Sequence, residues 1–144
     1  MRQSIPAVKG VYALVIDISR EVRIEIGSLG KHLLRKGCYV YVGSAKGPGG
    51  LRGRISRHLR KNRRKRWHVD YVLEIGEVKL IAYVASDISE CSVVKKLLKI
   101  GLTAPIKGLG SSDCKQGCPA HMLYTNDPSA VMRYLRAMFK TVEV

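Results

Sequence analysis

The sequence predicts an α+β fold with a mainly antiparallel sheet, and three observations predict it. Runs rich in β-branched and aromatic residues crowd the first half of the chain. Segments with helical apolar spacing dominate the second half. The chain has 144 residues, the length of one domain with a core large enough to fold without a disulfide or metal.

Val11 to Asp17 is the first expected strand and Val22 to Ile26 the second, with a turn over Asp17–Glu21. The run CYVYV, Cys38 to Val42, is the third, bounded by Gly37 and Gly43. The loop GSAKGPGG follows. A helix is expected from Leu51 to Lys61, because Leu51, Ile55 and Leu59 recur four apart. Arg54 and His58 lie together on one edge of that stripe, while Arg57, Arg60 and Lys61 point further out. Trp67 to Glu74 fits either a helix or a buried strand, and Val78 to Ala85 a strand. The next helix is expected to start near Asp87, with Asp87 and Glu90 spaced as a capping box and Gly101 as its stop. Asp127-Pro128 opens a last helix, about 127–140, with Val131, Met132, Leu135, Met138, Phe139 and Val142 as its apolar face.

Charge is the most unusual property. Twenty-six Lys and Arg against eleven Asp and Glu give +15, which makes a polyanion the expected partner and excludes an acidic solvating role. Half of that basic charge, 13 residues, lies in positions 26–69, a segment without one acidic residue. Solvated faces mix both signs. An unmixed block reads as a phosphate-binding surface, with Lys46, Arg52, Arg57, Arg60, Lys61, Arg63, Arg64 and Arg66 as candidate contacts. No regularly spaced base-reading side chains are evident, so shape or structure is the expected readout. No apolar run is long enough to span a membrane. The first residues, MRQSIPAVKG, lack the apolar core of a signal peptide, and a cytoplasmic setting is expected. There the four cysteines would be reduced thiols.

Two short pieces, Gly10-Val11-Tyr12 and Tyr41-Val42-Gly43, together with Arg54 and His58 spaced R-x-x-x-H, resemble the GIY-YIG nuclease superfamily. The chain is similar in more detail to one mostly archaeal domain of unassigned function, sometimes fused to endonuclease III-type repair glycosylases. KGVYAL, YVYVGSAKGPGGL, RISRHLR, RWHVDYVL, SEC, GLGSSDC and CPAHMLY carry that likeness, over about residues 9–124.

The resemblance implies a single GIY-YIG-like domain and a structure-selective DNA endonuclease of repair or processing. One Mg²⁺ or Mn²⁺ would be held by Glu90. Tyr12 would act on the attacking water, Tyr41 would position water or phosphate, Arg54 would stabilise charge on the scissile phosphate, and His58 would orient the tyrosine or carry protons. A repair glycosylase is an implied partner. The chain departs from the superfamily pattern in three ways. Tyr12 and Tyr41 are 29 positions apart, so an extra strand and loop must occupy about 20–36; the GPGG loop is long; and no asparagine matches the superfamily's late one.

Structural readings stand beside these. Tyr12 and Tyr41 suit half-buried sheet positions, Glu90 suits the capping box, and Arg54 suits a surface. His68 and Asp70 suit a hydrogen-bonded structural pair. A nucleic-acid-binding module without catalysis, for DNA or RNA, is the alternative function, and a zinc-stabilised interaction domain is a third. Cys91, Cys114, Cys118 and His121 have the composition of a tetrahedral zinc set, against a reading as inert buried thiols and a core histidine. If Cys91 approaches Cys114, the GLGSSDC loop borders the site through Glu90.

Overall fold

The computed structural model describes residues 5–60, 64–65, 67–110 and 118–144. Its centre is a five-stranded antiparallel sheet in the order β6-β4-β1-β5-β7. These strands are β1 (Gly10–Ile18), β4 (Gly37–Ala45), β5 (Glu77–Val84), β6 (Met122–Thr125) and β7 (Lys140–Glu143). Two further strands, β2 (Val22–Glu25) and β3 (Lys31–Leu34), pair only with each other. The helices are α1 (Gly50–Leu59), α2 (His68–Ile75), α3 (Glu90–Ile100) and α4 (Ser129–Met138). The α+β class with an antiparallel sheet, expected from sequence, is what the chain forms.

β1 is buried at every position from Gly10 to Ile16. A strand covered on one face would alternate, so both faces of the sheet centre are packed. This is why Val11–Ile16 is a continuous apolar run. α1 packs on β1 and β4, α3 on β4 and β6, and α4 on β7 and α3.

Several expectations are corrected. The inserted segment is a whole β2–β3 hairpin with Val22 opposite Leu34, standing outside the main sheet. Its alternating exposure, Val22–Glu25 and Lys31–Leu34, is that of a one-sided ribbon. The first helix starts one residue earlier, at Gly50, and ends at Leu59. The ambiguous segment after Trp67 is helical, because the Asp70 carboxylate accepts from the Trp67 N–H at 2.9 Å and caps its first turn.

α3 begins at Glu90, not near Asp87. Its cap is Ser89, whose hydroxyl oxygen accepts from the Ser92 N–H at 3.0 Å. Gly101 does end it, in left-handed conformation at φ 118°. Asp127 receives the Ser129 amide and hydroxyl at 3.1 and 2.7 Å, one residue ahead of the capping position, which Pro128 occupies, so α4 starts at Ser129 rather than at Pro128. That helix stops at Met138, which is 64% exposed, and the chain turns into β7 rather than continuing to 140. The expected strands did not include β6 or β7, each only four residues long. Among the described residues no helix is long and apolar enough to cross a membrane.

Candidate active site

The antiparallel pairing of β1 with β4 removes the 29-residue separation of the two tyrosines. Tyr12 lies opposite Gly43, and Tyr41 opposite Leu14. Opposed residues share a face, so the two phenols are diagonal neighbours, with ring centroids 6.1 Å apart in an edge-on arrangement. Gly43 makes this approach feasible. A Cβ there would lie 2.6 Å from the Tyr12 hydroxyl and 3.0 Å from the Tyr41 ring.

α1 brings two side chains to the same end of the sheet. Its start depends on Gly50, whose φ is 58° and whose Cβ would meet the Val8 backbone at 2.5 Å. The Leu51 N–H there donates to the Val8 carbonyl at 2.8 Å. One turn on, Arg54 donates from Nη1 to the Ser44 carbonyl at 3.2 Å and stacks over Trp67 at 4.6 Å. His58, 1% exposed, has its Nε2 2.6 Å from the Tyr12 hydroxyl. Its Nδ1 faces the fully buried Asp70 at 3.9 Å.

Glu90 arrives from the first turn of α3. One carboxylate oxygen accepts the Ser44 hydroxyl at 2.7 Å, and the other lies 3.1 Å from His121 Nδ1. Burial alone would raise this carboxyl. Hydrogen bonds from His121 and Ser44, with the Lys46 charge, overcome it and hold the group below the usual carboxylate range. Burial pushes the Tyr12 hydroxyl well above its ordinary value, Tyr41 adds to this, and Arg54 opposes it. Tyr41 is pushed up to about 12, by burial first and the Glu90 charge second. Both phenols therefore keep their protons at neutral pH.

The five sequence candidates Tyr12, Tyr41, Arg54, His58 and Glu90 thus gather at one end of the sheet. Ser44 ties them together, its carbonyl on Arg54 and its hydroxyl on Glu90. Ser44, Trp67 and Asp70 escaped the sequence reading as parts of this site. Ser44 sits inside the YVGSAK piece, and Asp70 is the first acid after the basic block; those were the available signals.

Other candidates disperse. Arg57 does not point outward to phosphate: it makes a two-pronged pair with Asp70 at 3.0 and 3.1 Å and stacks over Trp67. Its side chain is 20% exposed and that of Asp70 fully buried. The burial of an acid beneath it redirects the guanidinium inward. Asp70 serves Arg57 and the α2 cap, while His68 Nδ1 accepts from the Gly110 N–H at 2.9 Å. Lys46, Arg52, Arg60 and Arg64 are exposed, and Arg52 also donates to the Ile5 carbonyl at 2.7 Å. Lys61, Arg63, Arg66 and Cys114 lie outside the described residues.

Cys91 and Cys118, expected as free thiols, are joined as a disulfide, their Cα atoms 6.0 Å apart. Cys38 is a free, buried thiol pushed up to about 12 by burial and then by the Asp17 charge. The Gly108–Gly110 stretch does border the site. A Cβ on Gly110 would lie 3.3 Å from the Tyr41 ring.

Together the fold and this cluster define an α+β domain with an acid–base and guanidinium assembly at one end of its sheet. The chain belongs to the family described as "Domain of unknown function DUF123", whose model matches residues 11–144. No curated protein and no solved structure gives a significant match.

Proposed function

We propose that the chain is a metal-dependent, structure-selective DNA endonuclease of repair or processing, related in chemistry to the GIY-YIG nucleases. One observation carries the reading: two phenols, an imidazole, a guanidinium and a depressed carboxylate converge from β1, β4, α1 and α3 on one spot. Phosphodiester hydrolysis needs a deprotonated water, charge stabilisation at phosphorus and help for the leaving oxygen.

Glu90 suits a hard cation, being ionised, 26% exposed at its side chain, and retaining lone pairs beyond those used by Ser44 and His121. Mg²⁺ or Mn²⁺ bound there supplies charge for the phosphate and the leaving 3′ oxygen. Tyr12 enters the reaction neutral. As its oxygen takes a proton from water, its own proton passes to His58 Nε2, and Asp70 stabilises the resulting imidazolium. Arg54, fixed between the Ser44 carbonyl and the Trp67 ring, presents a permanent cation to the non-bridging oxygens. Tyr41 orients water or phosphate. The exposed Lys46, Arg52, Arg60 and Arg64, with Lys61, Arg63 and Arg66, hold the nucleic-acid backbone.

A non-catalytic DNA- or RNA-binding module is the second reading, and the burial of the central pair favours it: Tyr12 is 0% and His58 1% exposed. One assay separates the two. Wild-type protein and Glu90→Ala are incubated with nicked, flapped, branched and abasic DNA and either metal. The endonuclease reading expects cleavage by wild type, loss of it in Glu90→Ala, and affinity retained within about three-fold, since the basic surface carries binding. Absence of cleavage of every substrate by wild type leaves the binding module.

A further inference from the structure

We propose that Cys91, Cys118 and His121 bind a zinc ion when the two cysteines are reduced, in a site whose imidazole is aimed by Glu90. The three side chains offer ligand atoms within 4.8 Å of one another. Cys91 Sγ and His121 Nε2 are 3.5 Å apart. A zinc–sulfur bond of about 2.3 Å and a zinc–nitrogen bond of about 2.05 Å at the tetrahedral angle put those atoms roughly 3.6 Å apart, so this pair already has a ligand spacing, while Cys118 Sγ must part from Cys91 Sγ to become the third ligand.

His121 is also oriented as a ligand. Its Nδ1 faces Glu90 at 3.1 Å, the carboxylate–histidine arrangement that fixes the tautomer and ring orientation, and its Nε2 is turned toward Cys91 Sγ. The backbone holds the residue in place: its N–H donates to the Leu109 carbonyl at 2.9 Å, and its carbonyl accepts from the Val42 N–H at 2.8 Å. Cys91 is the second residue of α3, which places its sulfur against the His121 ring. Two thiolates and an imidazole select zinc over hard cations.

The disulfide must open first. Two equivalents of a thiol reductant convert it to two cysteine thiols and one reductant disulfide. Each cysteine then gives up a proton to solvent as it binds the ion. A fourth position remains for water or another donor.

This site does not depend on the endonuclease reading, and its test reads metal, not cleavage. Metal-free full-length protein, reduced and then separated from reductant under argon, is titrated with Co²⁺ alone and with Zn²⁺ alone. The expected result is one equivalent bound, with a sulfur-to-cobalt charge-transfer band and intense tetrahedral d–d bands that Zn²⁺ abolishes. Air-oxidised wild type should bind none, a control that needs no substitution. Cys118→Ser should weaken the charge-transfer band, and Glu90→Ala should lower metal affinity roughly 10–100-fold while keeping the bands. Reduced wild type that takes up no metal, or whose cobalt spectrum lacks the sulfur band, overturns the proposal. So does a disulfide that survives the reductant.

Discussion

Two adjacent residues of β4, Gly43 and Ser44, shape the candidate site without carrying charge. Gly43 is a void that the Tyr12 ring fills, and Ser44 is a junction between the arginine of α1 and the glutamate of α3. The void is testable. Gly43→Ala places a methyl 2.6 Å from the Tyr12 hydroxyl, and Tyr12 is fully buried, so the ring must shift within a packed core. Overpacking of this kind costs about 1–3 kcal/mol, read as a lowered urea midpoint. On the proposed endonuclease reading, displacing the phenol from His58 should reduce cleavage further than the stability loss explains. Gly47→Ala is the control, because nothing lies within 4 Å of a Cβ there, and its midpoint should stay within about 0.5 kcal/mol of wild type.

α2 and α3 present Asp70 and Glu90 from their first turns, so caps matter at the scale of elements. The cap of α3 belongs to Ser89, and Glu90 is thereby released from capping to face Ser44 and His121. Ser89→Ala should cost about 1 kcal/mol, whereas Asp87→Ala should stay within about 0.5 kcal/mol; chemical denaturation distinguishes them. α4 offers a pH test. The Ser129 hydroxyl, then its backbone N–H, hold the Asp127 carboxyl below its usual value. A depressed folded value means that this contribution is present above the unfolded value and lost as pH falls through the folded one. Wild type should therefore lose more stability than Asp127→Asn between pH ~6 and pH ~2, measured as the difference in thermal midpoint. α2 depends on Asp70 in a different way. One buried carboxylate caps the helix, pairs with Arg57 and faces His58, tying the second helix to the first.

For the whole molecule, a net charge of +15 dominates encounters with polyanions. Duplex binding should weaken linearly in log affinity against log salt, by about 0.9 for each phosphate neutralised. Reversing Arg63, Arg64 and Arg66 to Glu should lower affinity for all sequences alike and flatten that slope, measured by fluorescence anisotropy across a salt series. Full affinity in the triple variant would place the footprint elsewhere. Arg57 belongs outside this set, because its charge is committed to Asp70.

The amino-acid order by itself determined the class of fold, since strand-like runs precede helical spacing and each long segment carries its own periodicity. It also determined the chemistry on offer: Tyr12, Tyr41, Arg54, His58 and Glu90 are recognisable from motif pieces that need no coordinates. Short elements escaped it. β6 and β7 have four residues each, and their strand character comes from pairing with β4 and β5 rather than from local preference. Only the tertiary structure decided partners. Arg57 reads as one more surface cation until a buried Asp70 lies beneath it. Cys91 and Cys118 are 27 residues apart in sequence, and no spacing rule says that they and His121 meet beside Glu90. A local pattern reports what a residue can do with its neighbours in the chain; which distant group it meets is set by how the sheet and helices pack.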